Sequence, residues 1–282
     1  MRKLLSALLL LPLLAFAGEL HLDKAPDKSG DKAALQHGAQ LFINYCLNCH
    51  SASYMRYNRL QELGLSEQQI KDNLLFTAGK TGEPMRIAMQ REDAKTWFSV
   101  APPDLTIIAR AKASEEGSGA DWLYTYLRTF YRDESRPTGW NNIAFPTVAM
   151  PHVFWQLQGA RPLTIEAVKE IRGDEKDGSK LLGFEKVVTK YDVTGAKSEQ
   201  KEKLDGMEHH AETEYHWGEA KGGKLDAHDY DAAVADLVGF LKYMGEPVAA
   251  YRKHLGWIVL IVLAVLFVFS YALKREFWKD VH

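Results

Sequence analysis

The sequence predicts a mainly α exported domain, interrupted by a loop-rich insertion and tied to a membrane by one C-terminal helix. Three observations lead there. Both ends of the chain are apolar while its middle is charged, two amphipathic segments with helical spacing frame that middle, and a polar stretch with scattered glycines parts them.

The first end combines Arg2 and Lys3 with an apolar run from Leu4 to Leu14, then Ala15, Phe16 and Ala17 before Gly18. A basic start, an apolar stretch too short to span a bilayer and an Ala-x-Ala site make residues 1–17 a secretory signal. Residues 18–254 are then expected outside the cytoplasm, whether or not the signal is cleaved. At the other end, residues 255–273 carry no charge. As a helix they would measure about 28 Å at 1.5 Å per residue, which matches the hydrocarbon thickness of a membrane. Basic residues flank this span on both sides (Arg252, Lys253 and His254; Lys274, Arg275 and Lys279), so the positive-inside rule decides little. The signal sets the orientation instead: a single pass through a bacterial inner membrane, the domain in the periplasm, residues 274–282 in the cytoplasm and the span against lipid. Trp257, Tyr271 and Trp278 fall near the two interfaces, where amphipathic rings sit well.

The whole chain has a formal charge of −2; taking away the leader's +2 and the tail's +1 leaves the exported part near −5. That balance argues against a nucleic-acid partner and suits a basic protein partner.

The chemistry is concentrated in one place. The two cysteines of the chain, Cys46 and Cys49, are followed at once by His50, reading Cys-Leu-Asn-Cys-His. This is the attachment pattern of one covalently bound haem c: two thiols add to the vinyl groups from one short turn, and the next residue offers its imidazole to the iron. A thiol redox couple or half a zinc site uses the same cysteine spacing. Zinc would need ligands from elsewhere, and a redox couple is expected after a strand, whereas Leu35, Ala39 and Phe42 precede this motif at helical spacing. The sixth iron ligand separates electron carriers from haem enzymes. Met150 is the candidate, in Phe145-Pro-Thr-Val-Ala-Met150-Pro151, where two prolines stiffen the loop around the sulfur. Met85 and Met89, on a helix-like face, are its competitors. A thioether is a soft, neutral ligand that raises the reduction potential and closes the site to oxygen.

A helix over 31–45 with Asp31 as N-cap delivers the haem motif. A second, over 229–244, places Val234, Leu237, Val238, Leu241 and Met244 on one face and stops at Gly245 and Pro247. Helices framing a haem segment suggest a small class I cytochrome c-like domain in which the first and last helices cross. A third helix over 121–131 is rich in aromatics. Residues from about 159 to 228 read as the insertion, with one short strand-like run at 187–189. Within it and just beyond, residues 204–231 carry −6 with His209, His210, His216 and His228, a pattern open to three readings: a solvated surface, a metal site, or an acidic docking face for a soluble cytochrome.

Further segments carry a resemblance. Besides the haem motif and the Met150 loop, Ala101 to Thr106 reads APPDLT and is followed by Ile107 to Arg110; Phe240 to Pro247 reads FLKYMGEP and leads through Arg252 and Lys253 into the span and on to Ala272 to Arg275. Over most of residues 30–158 and 224–282 the chain resembles the bacterial cytochrome c1 family, and between those stretches it is expected to be longer than its relatives. The resemblance implies that Pro102 or Pro103 offers a carbonyl to the His50 ring, that Arg110 pairs with a haem propionate, and that Tyr131 or Tyr126 does likewise. It implies an electron-transfer subunit of the quinol:cytochrome c reductase, with no catalytic residue of its own, in a dimeric complex with cytochrome b and the Rieske iron–sulfur protein and with a cytochrome c as acceptor. An anchored monohaem carrier serving a terminal oxidase is the rival, as is an exported thiol redox protein. The family pattern before the methionine is Tyr-Phe-Pro-Gly; here Thr147 stands where the glycine would be.

Overall fold

Asp31 starts the first helix as expected, its carboxylate accepting the N–H of Ala34 at 3.0 Å. The computed structural model describes residues 21–173, 181–206 and 208–279; the leader and Met207 lie outside them. In chain order the elements begin with α1 (Lys32–Leu41), β1 (Ala52–Arg56), α2 (Glu67–Asn73), β2 (Pro84–Met85), α3 (Arg91–Phe98), α4 (Ile108–Ala111) and α5 (Gly119–Arg128). Next come β3 (Phe130–Arg132), β4 (Trp140–Asn142), α6 (Trp155–Gln158), β5 (Leu163–Arg172), β6 (Leu181–Tyr191), β7 (Lys197–Leu204) and β8 (Glu212–Trp217). Helices α7 (Ala227–Gly245) and α8 (Ala249–Phe277) close the chain. Two compact units result: Asp23–Arg128 joins the segment from Ala227 onward, and Thr129–Asp226 forms the other.

In the first unit α1 and α7 cross, as the framing helices were expected to do. Ala34, Leu35, Gly38, Ala39 and Leu41 make the buried face of α1, and Leu237, Val238, Phe240 and Leu241 that of α7. The crossing is close because position 38 has no side chain: a Cβ there would strike the backbone carbonyl of Asp236 and the Cβ of Phe240. One turn on, the rings of Phe42 and Phe240 meet at 5.7 Å. Helix α5 is fastened to α7 by the Tyr230 hydroxyl donating to the Leu127 carbonyl at 2.7 Å, and by the Arg128 fork on both oxygens of Asp231 at 2.6 Å. A bidentate guanidinium–carboxylate pair fixes direction as well as distance. Helix α8 extends the expected span at both ends, and Tyr251–Phe277 is long and apolar enough to cross a membrane, with none of it buried against the protein. Trp257 and Trp278 stand about 31 Å apart along such a helix, close to the depth of a hydrocarbon core.

The insertion corrects the sequence expectation. Residues expected to be loops form a four-stranded antiparallel sheet in the order β7-β6-β5-β8, so the chain as a whole is less α than predicted. The run at 187–189 is the middle of an 11-residue strand. Pairing of Leu163 with Tyr191 and with Trp217 puts all three on one face, and that face packs with Ile165 against Tyr131 and Ile143. The other face carries ion pairs such as Glu166 with Lys186 at 2.6 Å. Edge strand β7 is exposed and dense in charge, with Glu199 between Lys197 and Lys201, which blunts its open backbone against pairing with another chain. The third helix is also shorter than expected. It ends at Arg128, so Tyr126 is helical but Tyr131 lies on β3.

Candidate haem site

The haem motif follows α1 through a π-helical turn, Phe42–Cys46, closed by the Leu47 N–H on the Phe42 carbonyl at 2.9 Å. Such single turns widen a helix and often mark functional positions. The Cys46 carbonyl then accepts two N–H groups, from Cys49 at 3.0 Å and from His50 at 2.9 Å. Three residues with one joint task therefore leave a single tight turn. Cys46 is buried and Cys49 half-buried. Burial, with a smaller contribution from Cys49, pushes the Cys46 thiol up to about 12. A redox couple needs the opposite, a thiolate stabilised near neutral pH, so the thiol-redox rival fares badly here.

The proximal loop is built around His50. Its Nδ1 donates to the Pro103 carbonyl at 2.7 Å, which fixes the tautomer and leaves the Nε2 lone pair for a metal. Burial lowers the His50 pKa, opposed by the Pro103 bond and by Asp104, so the ring is held neutral, as an iron ligand must be. Of the two prolines, Pro103 supplies the acceptor, while Pro102 lines a cleft of about 310 Å³ with Cys49, Arg86, Met89 and Asp104. Asp104, which the sequence reading passed over, holds the loop: it accepts the N–H groups of Ser53 and Thr106, each at 2.8 Å, and the Thr106 hydroxyl at 2.5 Å. Its signal was an Asp two residues before a Thr after paired prolines, a local turn pattern. Replacing Asp104 by Ala orphans these donors and is expected to cost about 1–3 kcal/mol, measured as a lower denaturant midpoint of the holoprotein.

Arg110 sits on α4 and is exposed. Tyr126 is buried and stacks on Trp122, centroids 4.8 Å apart. Tyr131 is turned into the sheet-side cluster, its ring 4.8 Å from that of Tyr191. The competing methionines are not on a helix: Met85 is fully buried in β2, and Met89 lies in the loop before α3.

Met150 belongs to the second unit and is half-buried in a loop after β4. Strands β3 and β4 pair with Tyr131 opposite Asn141, and the loop springs from that hairpin. His152, two residues past the methionine, is buried between Phe130, stacked at 4.9 Å, and Trp140, edge-on at 5.0 Å. Burial pushes its pKa down to about 3, so it packs as a neutral ring.

A Cys-x-x-Cys-His turn with a neutral, oriented histidine and a membrane helix defines the class: an anchored c-type cytochrome. Comparison with known proteins narrows it. The model of the Cytochrome C1 family matches residues 23–170 and 224–281. Cytochrome c1 of Allochromatium vinosum is 40% identical over the full length of both chains. The ammonia monooxygenase gamma subunit of Nitrosomonas europaea is 41% identical over 99% of this chain and 97% of its own. Cytochrome c1 of Rhodospirillum rubrum is 26% identical over 89% and 83%. The chain belongs to the cytochrome C1 family, carries covalently bound haem c, and is a bc1-type electron-transfer subunit. Strands β6, β7 and β8 fall in what the family model skips, yet the first two relatives span the chain end to end, so the expectation of a chain longer than its relatives fails for them.

Proposed function

We propose that this chain receives electrons one at a time from the Rieske iron–sulfur protein of a quinol:cytochrome c reductase and passes them to a soluble or membrane-bound cytochrome c. The observation that carries the reading is the 2.7 Å bond from His50 to the Pro103 carbonyl beside two cysteines on one turn. Cys46 and Cys49 would hold the haem through thioethers, His50 Nε2 and the Met150 sulfur would be its iron ligands, and Arg110 with Tyr126 or Tyr131 would serve the propionates. Bound there, the haem supplies a one-electron ferric/ferrous couple. Side chains of this subunit make no bond to quinol; that chemistry belongs to cytochrome b and the Rieske protein. The haem domain lies in the periplasm, and α8 crosses the inner membrane once, against lipid and cytochrome b, within a dimeric complex.

The likeness to a protein named as a monooxygenase subunit gives a second reading, an electron carrier serving an oxygenase. Purification from membranes separates the two. A covalent haem stain on this polypeptide, copurifying cytochrome b and Rieske protein, and haem c reduction by added quinol only while the Rieske protein is present are the expected results. Copurification with oxygenase or terminal oxidase subunits, or quinol reduction that ignores removal of the Rieske protein, would overturn the reading.

A further inference from the structure

Thr147 has a φ of 63°, in the left-handed region. A β-branched residue avoids this region because its side chain crowds its own backbone, which is why glycine or asparagine usually fills it. Nothing in the residue itself favours that conformation, so its neighbours must impose it.

They do so from both sides of one residue. The Thr147 N–H donates to Oδ1 of Asn141 at 2.9 Å, and the Thr147 carbonyl accepts from Nη2 of Arg136 at 2.9 Å. Asn141 is in turn immobilised. Its Oδ1 also takes the N–H of Asn142 at 2.9 Å, its Nδ2 donates to Asp133 at 3.0 Å, and both Asn141 and Asp133 are buried. Asp133 is anchored by the N–H and hydroxyl of Ser135, at 3.0 and 2.6 Å. The next side chain repeats the device one step earlier, Asn142 Oδ1 accepting the Phe145 N–H at 3.0 Å. Only three peptide units separate Thr147 from Met150, at most about 11 Å of chain, so the direction the backbone takes at Thr147 sets where the sulfur goes.

We propose that Asn141 and Arg136 are positioning residues for Met150: they clamp Thr147 in the left-handed conformation and thereby hold the methionine loop in the form that presents its sulfur. This rests on the reading of Met150 as the axial ligand. The clamp replaces what a glycine at 147 would supply by conformational freedom alone. With the clamp cut, threonine returns to negative φ and the loop swings; with glycine at the hinge, the left-handed turn no longer needs the clamp.

The test uses the full-length chain in its membrane complex and two optical readouts: the near-infrared sulfur-to-iron charge-transfer band of the ferric protein and carbon monoxide binding by the ferrous protein. Asn141→Ala is expected to weaken the band and raise carbon monoxide affinity by about tenfold or more, the effect of losing one to two buried hydrogen bonds on the closed-to-open ratio. Adding Thr147→Gly to Asn141→Ala is expected to restore most of the band. Hydrogen bonds that merely stabilised the fold would not be rescued this way, because glycine adds freedom to the chain. An Asn141→Ala protein with unaltered spectra, or a double variant worse than the single, overturns the clamp. Should Asn141→Ala fail to yield haem-bearing protein, Arg136→Gln with and without Thr147→Gly makes the same comparison with the same outcomes. Met150→Leu distinguishes the two levels. A band that survives it rejects the ligand reading itself, whereas its loss beside silent clamp variants rejects only the clamp.

Discussion

Gly38→Leu is expected to disrupt the first unit so far that little haem-bearing protein accumulates. The first carbon of any side chain at 38 meets the Asp236 carbonyl and the Phe240 Cβ, and a backbone carbonyl inside α7 cannot turn aside as a flexible side chain would. Helix propensity pulls the other way, since leaving glycine gains up to about 1 kcal/mol in a helix interior. Overpacking of a close crossing costs about 1–3 kcal/mol, and parting the helices would further uncover Phe42 and Phe240, each worth about 1.5–3 kcal/mol of burial. The sum outweighs propensity and reaches a large fraction of the ~5–15 kcal/mol that holds a domain folded. Gly38→Ala meets the same carbonyl with one carbon, so it is expected to be measurably destabilised but still to mature. Denaturant unfolding of the holoproteins, with haem staining of membranes, reads both. Gly30→Ala is the control, because a Cβ there meets nothing within 4 Å. A Gly38→Leu protein with the parent's midpoint would show that the two helices do not depend on close approach.

The framing helices were legible because their burial is one-sided and long: Val234, Leu237, Val238 and Leu241 repeat at helical spacing, and α7 is found at Ala227–Gly245 around them. The sheet was not, for the opposite reason. Strand β7 reads KSEQKEKL and has no apolar face to betray its period, and β5 mixes Glu166 and Lys169 into a pattern whose alternate residues Leu163, Ile165 and Ala167 are few. Its order comes from cross-strand pairing with β6, which composition does not record. The helix over 121–131 ran too far because its aromatics continue past Arg128 into β3, where Phe130 and Tyr131 serve a hairpin instead. At the site, contiguous chemistry was readable and long-range support was not. Cys46, Cys49 and His50 announce themselves, and the paired prolines could be matched to His50 only through the resemblance. Asn141 and Arg136 look like ordinary turn residues, and only the positive φ of Thr147, where the family pattern has glycine, gives their contacts a task.

Met150→Leu is expected to leave the covalent haem in place while changing its redox behaviour sharply. Leucine keeps nearly the volume of methionine and its apolar character, so the loop after β4 can retain its packing, with the Asn141, Asn142 and Arg136 bonds untouched. On the ligation proposed above, what disappears is a soft sulfur donor that favours ferrous over ferric iron. For a one-electron couple each tenfold loss of that preference lowers the potential by about 59 mV, so a hundredfold loss gives roughly 120 mV. The vacated axial position should then admit carbon monoxide, which a six-coordinate carrier excludes. Because Met89 lines the cleft beside Cys49, Met89→Leu is the necessary companion. Redox titration and carbon monoxide difference spectra of the two variants decide between them: a lowered potential in Met150→Leu alone supports Met150 as ligand, and a lowered potential in Met89→Leu alone would move the ligand into the first unit. The outcome also bears on function beyond the site. On the proposed function, a subunit whose potential has fallen accepts electrons poorly from upstream and passes them on readily, so quinol-driven turnover of the complex should slow at the step of haem c reduction while reoxidation by added cytochrome c stays fast.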